Sequence, residues 1–108
     1  MFKINNISWA IRFVSPIYYI LQKDNGEYTL GACVKDNHTI YIANNLSLEK
    51  TKKVLCHEIT HAAMFSYNVF LTIDQEELLA DLIATYGEEI IEITNKIFNK
   101  IKNRGESY

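Results

Sequence analysis

The hydrophobic pattern of this chain changes period around residues 44–47, and that change limits the folds open to it more than any other feature. Before it, Ile7, Trp9, Ile11 and Phe13 alternate with Ser8, Ala10, Arg12 and Val14. A period of two is that of a half-buried strand. Pro16, the only proline, ends that strand or follows its end. Residues 17–22 read equally as a short helix or a strand, and Lys23-Asp24-Asn25-Gly26 is a turn signal. Residues 28–34 and 39–43 read as two further strands, joined as a hairpin through Lys35-Asp36-Asn37. Ser47 is placed to N-cap the next element.

After the change the period is helical. Over residues 48–67, Leu48, Leu55, Cys56, Ile59, Ala62 and Ala63 fall in one arc at about 100° per residue. Asp74 is expected to cap a second helix over residues 75–103, with Ile73 and Leu78 as a hydrophobic staple. Leu79, Leu82, Ile83, Tyr86, Ile90, Ile93, Ile97 and Ile101 are expected to form its wide buried face. Lys100, Lys102 and Arg104 suit the negative end of its dipole, with Gly105 as a stop. The pattern predicts an α+β fold: a small, mostly antiparallel sheet of about three strands packed on two long helices.

The 108 residues correspond to one domain, residues 1–108. Hydrophobic residues make up 48%, enough for a packed core. A formal charge of −2 offers no general attraction to nucleic acid or to an acidic membrane. The apolar runs are too short to span a bilayer, and the first residues lack the apolar core of a secretory leader. A cytoplasmic location is therefore expected. Cys33 and Cys56 then read as reduced, buried thiols, too few and too far apart for a sulfur-ligated zinc site.

His57-Glu58-Ile59-Thr60-His61 lies on the first expected helix. Residues four apart differ by about 40° in rotation, so both imidazoles can reach one ion. Glu58, offset by about 100° from His57, can reach past them without being a ligand. Zinc acidifies a water molecule, and a carboxylate there can take up the water's proton and pass it to a leaving amine. A hydrolytic zinc site takes a third protein ligand. Glu77 and Asp81, four apart with Ala80 and Ala84 beside them, provide a candidate ligand and a candidate hydrogen-bond acceptor for a ligand histidine. The same acids, with Glu88 and Glu92, also suit the polar face of an amphipathic helix. Glu76 is the alternate ligand, and His38 a weaker one upstream.

HEITH followed by Glu77-Leu78-Leu79-Ala80-Asp81 resembles the gluzincin pattern HExxH…ExxAD. The run from Glu77 to Ala84 is also similar to the ExxANxFA-type segment of ImmA/IrrE-like peptidases, minimal zincins common in phages and mobile elements. The resemblance covers roughly residues 31–88. It implies a zincin-like fold, zinc held by His57, His61 and Glu77, Glu58 as general base, and Asp81 orienting a ligand. It also implies an edge strand that binds substrate backbone, for which residues 39–43 are the candidate. The implied function is a zinc peptidase acting on a protein or peptide substrate, such as a regulator of a phage or mobile element. A non-catalytic zincin-fold binding module is the alternative. No helix-turn-helix region accompanies the motif, so a transcriptional role has no support. Tyr41, Tyr67 and Tyr86 are the candidate donors to an oxyanion.

Overall fold

The computed structural model describes residues 1–104. The chain order is β1 (Phe2–Ile4), β2 (Ile7–Val14), a 3-10 turn (Tyr19–Leu21), β3 (Gly31–Val34), β4 (Thr39–Ala43), α1 (Leu48–Ser66) and α2 (Ile73–Arg104). The α+β class holds, with four strands rather than three. The additional strand, β1, forms a hairpin with β2 across Asn5 and Asn6, both at positive φ. Two consecutive left-handed residues make the tight turn whose twist suits a hairpin, and asparagine tolerates that conformation.

The sheet order is β1-β2-β4-β3. β4 runs parallel to β2, with Ile11 opposite Ile40 and Phe13 opposite Ile42. β3 is antiparallel to β4, with Gly31 opposite Ile42. The expectation that residues 39–43 form the exposed edge is thus wrong. Every residue of β4 is buried, between β2 and β3 and covered on both faces. β1 and β3 are the edges. The physical reason lies in the return from β2 to β4 through residues 15–38, which leaves β3 outermost.

One face of the sheet packs Trp9, Ile40 and Ile42 against Ala62 of α1, with Val54, Leu55 and Ile59 around them. On the other face, Val14, Tyr41 and Ala43 pack against Leu21 from the 3-10 turn. Trp9 Nε1 donates to Ser66 Oγ at 2.9 Å, and Asn5 Nδ2 donates to the Ser66 carbonyl at 2.9 Å. These bonds anchor the end of α1 on the sheet.

Ser47 Oγ accepts from the Lys50 N–H at 3.1 Å, so the expected cap of α1 is present. At the other end Asn68 has φ 56°, its N–H bonds the Phe65 carbonyl, and the Val69 N–H bonds the Met64 carbonyl. That is a Schellman stop with asparagine in the left-handed position. α2 starts two residues earlier than a cap at Asp74 would allow. Thr72 Oγ1 accepts from the Gln75 N–H, and Gln75 Oε1 accepts from the Thr72 N–H, a reciprocal capping box. Ile73 and Leu78 are both exposed and form no staple.

The buried face expected for α2 is also largely absent. Ala80 is buried and Leu79 half-buried, but Leu82, Tyr86, Ile90, Ile93 and Ile97 are exposed. α1 is much shorter than α2, and the last described hydrogen bond or ion pair between them is Lys52 to Glu88 at 3.1 Å. The expected Gly105 stop lies outside the described residues.

Candidate metal centre

The site forms where α1 passes between the β3 edge and the first turns of α2. Gly31, Ala32, Cys33, His57, Glu58 and His61 line one cavity of about 570 Å³, closed on its other side by Glu76 and Glu77. Gly31 is required for the close packing of β3 on α1. A Cβ there would stand 2.7 Å from Val54 Cγ1 and 3.1 Å from Glu58 Cγ.

Helical spacing brings the two histidines together as expected, with His57 Nε2 and His61 Nε2 3.2 Å apart. Glu77 Oε2 is 3.3 Å from His57 Nε2, and Glu77 Oε1 is 2.9 Å from His61 Nε2. One ligand atom from each of the three residues lies within 4.8 Å of the others. Ligands at about 2.0–2.1 Å from one tetrahedral zinc stand about 3.3 Å from each other, so these spacings match such a donor set.

The far nitrogens of the rings explain why these atoms face each other. Asp81 Oδ1 lies 3.0 Å from His57 Nδ1, and Glu76 Oε1 lies 2.6 Å from His61 Nδ1. A carboxylate only accepts, so a proton on each Nδ1 is donated to Asp81 or Glu76, the tautomer that leaves both Nε2 atoms free. Both Nε2 atoms then point lone pairs at each other and at the Glu77 carboxylate. Three acceptors converging on one point repel unless a cation lies among them. The chemistry of the donor set therefore fits a metal ion.

Glu76, the alternate ligand expected from the sequence, lies behind His61 rather than with the converging atoms. It is well shielded and also lies 3.8 Å from Lys35 Nζ. Its signal was the adjacent Glu76-Glu77 pair. Neighbours about 100° apart on a helix can serve the two nitrogens of one ring from different directions. His38 is remote from the site: it takes φ 50° in the β3–β4 turn and packs against Trp9 and Phe65.

Glu58 is only 6% exposed, and its carboxylate faces the cavity with no hydrogen-bond partner among the described residues. Burial pushes its pKa from 4.5 up to about 7, with Glu77 adding to the rise and His57 opposing it. Burial, and next Glu58, also pushes the Cys33 thiol up to about 12, so it stays protonated at neutral pH. Both cysteines are free and half-buried rather than fully buried. None of the three candidate tyrosines lines this cavity. Tyr41 is buried on the opposite sheet face, its hydroxyl accepting from Asn37, while Tyr67 and Tyr86 are exposed.

Comparison with known families adds a decisive observation: residues 16–95 match the IrrE N-terminal-like domain, the peptidase M78 family. The chain belongs to that family. It is a family of metallopeptidases, typically zinc-dependent, and the match includes both helices' contributions to the His57, His61 and Glu77 cluster. Comparison with curated proteins and with solved structures gave no match. No helix among the described residues is long and apolar enough to cross a membrane.

Proposed function

We propose that this M78 domain is a zinc-dependent peptidase, with His57, His61 and Glu77 holding the ion and Glu58 acting as general base. The convergence of three acceptor side chains on one point carries this reading. Zinc, when bound, acidifies water and polarises the carbonyl under attack. Glu58 has no other described partner, and its raised pKa suits proton uptake from water and delivery to the departing amine near neutral pH. Asp81 and Glu76 hold the two imidazoles in the tautomer that leaves Nε2 free.

The substrate is a protein or peptide segment. β3 borders the cavity and has a free edge, so an extended segment can pair with it as an added strand beside Glu58. A regulator in the same cytoplasm is the partner class this reading favours, and nucleic acid and membrane are not part of it.

The test compares the zinc-loaded chain with Glu58→Gln on a mixed peptide library read by mass spectrometry. The variant should bind zinc like the parent and cleave about 10²–10⁴-fold more slowly. Equal cleavage by both, or failure of the parent to bind zinc, would overturn the proposal.

A further inference from the structure

The second half of α2 has an apolar stripe that the fold leaves uncovered. Beyond Glu88 the helix continues to Arg104, about 24 Å of helix at 1.5 Å per residue. Ile90 is 51% exposed, Ile93 50% and Ile97 42%. Tyr86, Ile91 and Phe98 are similarly exposed. A projecting amphipathic helix of this length is marginal alone and is stabilised by packing its apolar face.

The spacing of the stripe is specific. Leu79, Ile83, Tyr86, Ile90, Ile93 and Ile97 follow steps of four and three residues. That is a coiled-coil seam, with Ile83, Ile90 and Ile97 at a and Leu79, Tyr86 and Ile93 at d. Lys100 occupies the next d position, where the seam ends. The flanking g positions in its exposed part are Glu89 and Lys96, of opposite charge. The e positions beside them, Gly87 and Thr94, carry no charge.

We propose that the occupant of this stripe is the same stripe of a second copy, paired antiparallel about a two-fold axis between Ile91 and Glu92. In that register Ile90 meets the partner's Ile93, and Tyr86 meets the partner's Ile97. An antiparallel pair sets g against g, so Glu89 meets the partner's Lys96 and Lys96 meets the partner's Glu89. A parallel pair would set g against e, where Thr94 and Ile101 have no charge to offer. The charge pattern therefore selects the antiparallel arrangement. The two sheet bodies then sit at opposite ends of the pair. This pairing is independent of zinc and of peptidase activity.

Sedimentation of the full chain over a range of concentrations tests the proposal, with and without a chelator. The expected result is a reversible dimer insensitive to chelation. Glu89→Lys alone and Lys96→Glu alone should each weaken it several-fold, and the two together should restore most of the loss. Both substitutions are at exposed positions of a projecting helix, and circular dichroism checks that each of the three variants is folded. A parent that stays monomeric at every concentration would overturn the proposal, as would a stripe covered only by a different protein. A dimer unaffected by the single charge changes would overturn the antiparallel arrangement.

Discussion

Glu76 Oε1 stands 2.6 Å from Nδ1 of His61, and a proton donated along that contact leaves Nε2 of the ring free for a metal. Both side chains are nearly enclosed, whereas Asp81, which does the same for His57, is 70% exposed. A shielded charge-assisted bond is worth more than a solvated one. Glu76→Ala should therefore lower zinc affinity about 10–100-fold, and Asp81→Ala by less. Competition against a chromogenic chelator gives both affinities. A larger loss from Asp81→Ala would contradict this ranking.

Glu58 makes the stability of the zinc-free chain depend on pH. Its folded pKa of about 7 lies above the ordinary 4.5, so the folded state holds the proton more tightly. The resulting stabilisation is fully present below about pH 4.5 and is lost as pH rises through about 7. Above that, the buried carboxylate costs up to about 3 kcal/mol relative to a neutral group. Glu58→Gln should be the more stable protein at about pH 8 in chelator, with the difference shrinking towards about pH 5. Denaturant titrations at both pH values measure this. A constant difference would show that ionisation of Glu58 is not its source. Zinc should also narrow the difference at about pH 8, because a nearby dication offsets the cost of the carboxylate.

Gly31 links the sheet edge to Glu58, the proposed general base. An added methyl would stand 2.7 Å from Val54 Cγ1, well inside contact distance, and close to Glu58. Gly31→Ala should cost about 1–3 kcal/mol and lower the proposed peptidase activity more than zinc affinity, because Glu58 moves while the proposed ligands do not. Val54→Ala in the same chain removes the nearest atom and should recover part of the stability. Thermal unfolding of the single and double variants decides it, and additive losses would rule out the clash as the cause.

Much of this arrangement is legible in the residues, and the rest is hidden for identifiable reasons. Ser47, the helical period after it and the four-residue spacing of His57 and His61 are local signals, and local geometry obeys them, although Leu48 of the expected apolar arc is exposed. The neighbours of β4 are not local information. Thr39-Ile40-Tyr41-Ile42-Ala43 is nearly continuous in apolar character, a sign of a strand covered on both faces, and its parallel pairing with β2 spans more than twenty residues of intervening chain. On α2 the periodicity shows which residues share a face. It does not show whether the body of the domain reaches that face, so the stripe from Tyr86 to Ile97 reads as core and is exposed. Glu76 and Glu77 are indistinguishable as residue types. Only the approach of α1 determines which one joins the converging atoms.

The hydrogen bond from Trp9 to Ser66 should matter for folding and not for the metal. Trp9 is fully buried, Ser66 nearly so, and Ser66 lies on α1 beyond His61, the last proposed ligand on that helix. Ser66→Ala strands the indole N–H in the core without a partner, which costs about 1–3 kcal/mol. Zinc affinity should stay close to that of the parent, because the helix turn bearing His57 and His61 is separately fixed by Ala62 against the sheet. Trp9 is the sole tryptophan, so its emission reports the change directly. Loss of the hydrogen bond should alter the fluorescence of the folded protein and lower its unfolding midpoint together. A normal midpoint with strongly weakened zinc binding would show instead that this anchor acts on the site rather than on the fold.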